Sequence, residues 1–147
     1  MVKSCKFCGI VSGELSASIV LDDEFCLAFL DSRPLFHGHC LLVPRGHYET
    51  LQDLPEFLIG PLFSDAKLLC LAIEETMSAE GTFVAINNKI SQSVPHLHVH
   101  VVPRRRKDGL RGFFWPRCRY ADEEQMREAA EKIRAAVDEL RVRNRER

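Results

Sequence analysis

Hydrophobic and polar positions alternate over short stretches in the first third of the chain and then switch to a helical rhythm. Apolar runs flanked by turn residues predict strands at Ser18 to Leu21 and Phe25 to Leu30, with Asp22-Asp23 as a tight turn between them. Asp31-Ser32-Arg33-Pro34 breaks the second run. After a hinge at Gly38, His39-Cys40-Leu41-Leu42-Val43 predicts a third strand ended by Pro44. From Glu56 to Met77, residues Phe57, Leu58, Leu62, Ala66, Leu69, Ile73 and Met77 recur at intervals of three and four. That spacing predicts a helix of about five turns, with Gly60 and Pro61 expected to disturb its start. Gly81 is expected to stop the helix, and Thr82 to Ile86 is a β-branched and aromatic run that predicts a fourth strand.

A polar loop, Asn87 to Ser93, leads to His96-Leu97-His98-Val99-His100-Val101-Val102. Alternation with a period of two predicts a strand running up to Pro103, with three imidazoles on one face and aliphatic side chains on the other. Farther on, Asp122 and Gln125 form a capping pair before Met126, Ala130, Ile133, Val137 and Leu140, whose spacing marks an amphipathic helix. Its tail, Arg141 to Arg147, is expected to fray. With 147 residues and no internal repeat, one domain over 1–147 is expected, its core at 5–104 and a C-terminal loop and helix at 105–147.

Composition narrows the function classes. Hydrophobic residues make up 46% and charged residues 28%, a globular balance, and the net charge of −1 argues against coating nucleic acid by bulk electrostatics. A phosphate ligand would have to be gripped locally. The first residues hold no apolar stretch of signal-peptide length and the longest apolar run, Leu68 to Ile73, is too short to span a bilayer, so a cytoplasmic protein without membrane contact is expected. Three of the six cysteines sit within apolar runs, where reduced thiols act as small hydrophobes, which disfavours a disulfide framework.

Three of six histidines at alternate positions within five residues is a poor fit to chance. A solvated strand edge and a purely metal-binding strand are the alternatives the residues leave open. Ser91-Gln92-Ser93, just upstream, offers hydroxyls and amides that could surround a phosphate, and clustered imidazoles suit a site where negative charge collects. Cys5-Lys6-Phe7-Cys8 places two thiols two residues apart, a spacing that lets both reach one metal ion. Free thiols and a redox pair remain open on that spacing alone. Taken without further context, Asp31 is a turn former, Phe29 and Leu41 are core residues, and Asn87 caps a loop.

The segment SQSVPHLHVHVVPR resembles the signature of the histidine triad (HIT) superfamily, and FCLAFLDSRPLFHGHCLLVPRGH resembles its nucleotide-facing hairpin. Together the likeness covers Cys5 to Arg104. The two-residue-spaced cysteines, the HGH turn and SQSV lean toward the Hint-like branch of nucleotide hydrolases and transferases. The resemblance implies an α+β fold with a five-stranded antiparallel sheet, a long central helix and a C-terminal helix, usually as a homodimer. It implies that His98 attacks the α-phosphate of a purine nucleotide to form a covalent nucleotidyl-histidine. The substrate would be a nucleoside phosphoramidate or a dinucleoside polyphosphate. His100 would donate to a phosphate oxygen or the leaving group, and His39 would support the network. Asp31 would bind the ribose hydroxyls, with Phe29 and Leu41 flanking the base and Phe7 and Ile10 completing its pocket. Asn87, Ser91, Gln92 and Ser93 would meet the phosphate, Asn88 standing in for Asn87 if the shorter loop rearranges, while Ser91 stands where many relatives carry glycine.

Zinc-bearing members of the family and the related galactose phosphate uridylyltransferases carry matching cysteines and histidines. By that likeness Cys5, Cys8, His47 and His96 would hold a structural zinc. The other functional readings are a nucleotide-binding regulatory module with incidental turnover and a zinc-buffering protein. The basic run Arg104 to Lys107, with Arg111, is expected to be a solvated charge run that could touch outer phosphates. The aromatic cluster Gly112 to Arg117 is either packing or a cover for the pocket, and His37 has no assigned role.

Overall fold

Asp23 closes the first hairpin: its Oδ1 accepts from the amides of Phe25 and Cys26, each across 2.9 Å, so the side chain stands in for a backbone turn. In the computed structural model, which describes residues 4–110 and 117–147, this turn joins β1 (Ile19–Asp22) to β2 (Cys26–Leu30). The turn lies one residue later than the expected Asp22-Asp23 pair, because Asp22 still pairs with Leu27 in the ladder. The chain divides between Asp108 and Gly109 into two compact units.

The first unit is built on five antiparallel strands in the order β1-β2-β3-β5-β4, where β3 is Cys40–Pro44, β4 is Gly81–Ile86 and β5 is Val99–Arg104. Alternation along the central strands sorts the core onto two faces. Cys26, Ala28, Cys40, Leu42, Leu97, Val99 and Val101 pack with Leu58, Leu62, Ala66, Leu69 and Ile73 of α2 (Glu56–Thr76). On the other face Leu27, Phe29, Leu41 and Val43 pack with Phe7 and Ile10 of α1 (Lys6–Ser12). His100 pairs with Leu41, so the triad histidines lie on the α1 face, as the period of two requires. None of the six cysteines is in a disulfide, and the buried Cys26 and Cys40 serve as small apolar residues.

Four expectations about element limits change. α2 runs unbroken through Pro61; Gly60 before it has no Cβ to meet the proline ring, which removes the usual obstacle to helical backbone at that position. The helix ends at Met77 and the left-handed Ser78, φ +52°, before Gly81, which opens β4 instead. β5 begins at Val99 rather than His96, since the Leu97 amide leaves the ladder to donate to the Tyr48 carbonyl. It continues through Pro103. The Arg104 carbonyl accepts from Glu80 on the β4 side, so the proline nitrogen points the other way, past the end of the β3 pairing, and no ladder bond is lost.

In the second unit α3 spans Glu123–Arg145, capped as expected: Asp122 accepts from the Gln125 amide across 2.8 Å and the Gln125 side chain accepts from Ala121 across 2.7 Å. The tail expected to fray stays helical to Arg145, with Arg143 and Arg145 set favourably against the negative helix end and Arg143 paired to Glu139. Met126, Ile133, Val137 and Leu140 are exposed along it. No helix of the described residues is long and apolar enough to cross a membrane.

Candidate functional site

Two carbonyl and amide contacts fix the protons of the histidine cluster. Nδ1 of His98 lies 2.7 Å from the His96 carbonyl oxygen; a carbonyl only accepts, so Nδ1 carries the hydrogen and Nε2 keeps its lone pair. The Leu35 amide donates to Nδ1 of His39 across 3.1 Å, which places the His39 hydrogen on Nε2. That nitrogen is 3.0 Å from Nδ1 of His100, which must then accept, leaving the His100 hydrogen on Nε2. The order follows from the backbone alone. His98 and His100 have ring centroids 4.9 Å apart and His39 and His100 5.2 Å.

Burial favours the neutral rings of His39 and His100. It pushes His100 down to about 4, with His98 and His39 adding to the effect and Asp31 opposing it. His39 is likewise lowered by burial, against the pull of Asp31. A lone pair on each accepting nitrogen is what the hydrogen-bond chain demands, so geometry and titration agree. His39 is held at the start of β3 by the turn from Phe36, whose carbonyl accepts from the His39 amide across 3.0 Å. That turn needs Gly38 at φ +99°, where a side chain would be strained and would meet Met77.

Beside the cluster is a cavity of about 620 Å³ whose walls include Phe7, Ile10, Phe29, Leu41, Asp31 and Lys6. Asp31 joins the two regions: one carboxylate oxygen accepts from the Arg33 amide at 2.9 Å and the other lies 3.7 Å from Nε2 of His39. Among the described residues lining the cavity there is no histidine; His98, 3% exposed, sits edge-on behind the Phe7 wall with ring centroids 5.1 Å apart.

His96 belongs to a different group from its two partners. Its Nε2 donates to the Pro44 carbonyl across 2.9 Å, which turns Nδ1 toward Cys5 Sγ at 3.6 Å and Cys8 Sγ at 3.5 Å. His47 Nδ1 lies 3.3 Å from Cys8 Sγ, and the four donor atoms fall within 4.8 Å of one another. Zinc–sulfur bonds of about 2.3 Å and zinc–nitrogen bonds of about 2.0 Å, set tetrahedrally, give sulfur–nitrogen edges of about 3.5 Å. The donor set therefore fits zinc in type, number and spacing. Without a cation, burial and then the adjacent Cys5 sulfur push the Cys8 thiol above its usual range, a conflict a divalent ion removes. Of the three imidazoles, those of His98 and His100 face one another, and that of His96 faces the thiols.

Residues 12–107 match the HIT domain. The chain belongs to the HIT family. Adenylylsulfatase HINT3 of Arabidopsis thaliana is 34% identical over 108 residues, 72% of this chain and 55% of that protein, so the match spans little more than half of that relative. Adenosine 5'-monophosphoramidase HNT1 of Saccharomyces cerevisiae is 35% identical over 111 residues, 73% of this chain and 67% of that protein. A zinc-bound histidine triad family protein from Mycobacterium smegmatis, known from a crystal structure, aligns with a TM-score of 0.70 at 36% identity, covering 95% of this chain and 96% of that one.

In this HIT domain the loop before the triad is braced from within. Both ends of the Gln92 amide are engaged, donating to the Glu49 carbonyl at 2.6 Å and accepting from the Lys89 amide at 2.9 Å. Asn88 Oδ1 accepts from the Leu51 amide at 2.9 Å, which leaves Asn87, whose side chain makes no hydrogen bond among the described residues, as the freer amide. Ser91 has φ +59°, a left-handed conformation that an L-residue rarely adopts. Ser93 lines a different cavity, shared with Cys5, His47 and Glu49, rather than the one walled by Asp31.

The basic run is solvated over Arg105, Arg106 and Lys107, which are exposed, and its arginines also make local contacts. Arg104 pairs with Asp108 at 2.5 Å, Arg105 donates to the Met77 and Ser78 carbonyls, and Arg106 pairs with Glu80 at 3.5 Å. Those side chains secure the end of α2 and the start of β4. Arg111 and residues 112–116 lie outside the described residues, while Arg117 is exposed. His37 borders a separate groove with Phe36, Met77 and Arg105. Three contributors had no place in the sequence reading: the Leu35 amide, the Pro44 carbonyl and Lys6 on the cavity wall.

Proposed function

We propose that this HIT protein is a nucleotide hydrolase or nucleotidyl transferase in which Nε2 of His98 attacks the α-phosphorus of a purine nucleotide. The observation that carries the reading is the 2.7 Å contact from His98 Nδ1 to the His96 carbonyl, which leaves a lone pair on the opposite nitrogen. Nε2 bonds to phosphorus while the bond to the leaving amine or phosphate breaks and its electron pair departs with that group, which takes a proton from water. Water then attacks phosphorus, the phosphorus–nitrogen bond breaks, and the pair returns to His98. His100, neutral and donating through Nε2, stabilises the phosphate oxygens, and His39 holds that orientation.

The cavity takes the base between Phe29 and Leu41, with the ribose hydroxyls on Asp31, from which the His39–His100 pair is the next polar group. Asn87 and Ser91 are the phosphate-side contacts, and Gln92 acts by bracing their loop. Cys5, Cys8, His47 and His96 would hold zinc, which supplies a crosslink between the N-terminal segment and the catalytic strand. The named activities of HINT3 and HNT1, on an adenylyl sulfate and an adenosine phosphoramidate, favour adenylated substrates with small leaving groups. A homodimer is part of this reading.

The test is a panel of adenosine phosphoramidates and dinucleoside polyphosphates, with acid-quenched trapping of α-phosphorus-labelled protein, repeated in His98→Ala. Label on the wild-type chain and none on the variant supports the mechanism. AMP binding with no turnover in either would instead make the protein a nucleotide-binding regulatory module.

A further inference from the structure

The metal ligands and the nucleotide cavity use opposite sides of one short element. Cys5 precedes α1 and Cys8 lies within it, while Phe7 and Ile10, from the same seven-residue helix, are 4% and 7% exposed and wall the cavity with Phe29, Asp31 and Leu41. Phe7 makes the link most directly. Its ring is edge-on to Phe29 at 5.3 Å, to His98 at 5.1 Å and to His96 at 6.0 Å, so one side chain touches the base wall, the attacking histidine and a metal ligand.

A helix of seven residues, with no side-chain cap at its start, gains little stability of its own. It is held from one side by apolar packing and from the other by whatever joins Cys5 and Cys8 to His47 and His96. Loss of the metal removes the second hold, and the ordering of Phe7 and Ile10 must then be supplied by the nucleotide. A nucleotide in the cavity in turn presses on the face of α1 that keeps the thiols in place.

Resting on the nucleotide and zinc readings above, we propose that the two sites are reciprocally coupled through Phe7. Zinc tightens nucleotide binding, and nucleotide tightens zinc by the same factor. Phe7 is thus a positioning residue for the metal site as well as a wall of the cavity.

The experiment uses the full, zinc-loaded chain. Zinc release to a large excess of a chromophoric chelator is followed with and without saturating AMP, and AMP affinity is measured by calorimetry on the loaded and stripped protein. Expected are release slowed and AMP bound more tightly by the loaded form, each roughly tenfold. In Phe7→Ala, at AMP concentrations that saturate the variant, release becomes indifferent to AMP. Because release is read from loaded protein, unfolding of the stripped form does not confound it. If AMP binds loaded protein yet leaves zinc release unchanged, the coupling is wrong and both sites stand. If AMP does not bind, or the purified chain takes up no zinc, the coupling falls together with the reading beneath it.

Discussion

The Leu35 amide points at Nδ1 of His39 from 3.1 Å, and that single donor sets the direction of the whole His39–His100 hydrogen bond. In the proposed mechanism His39 acts by orientation, not by touching the reacting atoms. Replacing it with alanine is expected to lower kcat by about 10²-fold or more while KM changes little, since the substrate cavity is untouched. His39→Gln, which can still donate to His100, is expected to recover part of the loss. Steady-state kinetics on both variants check this, and equal loss in the two would mean that His39 only fills space.

Removal of the proposed nucleophile has a sharper signature. His98→Ala should reduce turnover by at least about 10³-fold and abolish the phosphorus-labelled intermediate. Thermal melting in AMP should still rise for the variant, because the cavity walls remain and a ligand of the native state stabilises it.

Acid should weaken the fold through His100 and His39. Both titrate below the unfolded value near 6.5, His100 at about 4, so between those limits the unfolded chain binds more protons than the native one. Stability is then full above about pH 6.5 and lost as the pH falls toward 4, with His100 alone accounting for something on the order of 3 kcal/mol. Urea melts at pH 7 and pH 4.5 measure the loss, and His100→Gln should reduce it. A stability that stays flat across this range would contradict neutral burial of the ring.

How much of this the sequence disclosed depends on the range of the interaction. The period-two run from His96 to Val102 placed the histidines opposite Leu97, Val99 and Val101, and the spacing from Leu58 to Ile73 located α2, because both are properties of local backbone geometry. α1 stayed hidden, being too short for a helical rhythm and fixed by contacts to residues far along the chain. The same holds for the separation of His96 from its neighbours, which depends on the Pro44 carbonyl 52 positions away. Resemblance supplied the metal set; spacing alone left free thiols and a redox pair open.

The metal prediction can be checked without any substrate. Cobalt titrated into the stripped protein should give the intense visible bands of a tetrahedral site with two sulfur ligands, and Cys8→Ser should remove them. His47, the most exposed of the four proposed ligands, should when changed to alanine weaken the metal while leaving the buried cluster in place. An octahedral cobalt spectrum would overturn the assignment.

Ser91 provides a stability test independent of chemistry. Its φ of +59° on an exposed loop costs an L-residue roughly 1–2 kcal/mol, part of which glycine gives back in the unfolded chain. Ser91→Gly should therefore raise unfolding free energy by up to about 1 kcal/mol, readable as a shift in the denaturation midpoint.

The buried sulfurs of Cys26 and Cys40 have a practical consequence. Burial pushes these thiols up to about 12 and about 11, so at neutral pH they carry almost no thiolate. An alkylating reagent applied to folded protein passes them by and reports on Cys5, Cys8, Cys70 and Cys118. Mass spectrometry of the modified chain then becomes a gauge of how many molecules carry a metal, since only Cys5 and Cys8 change their reactivity with occupancy.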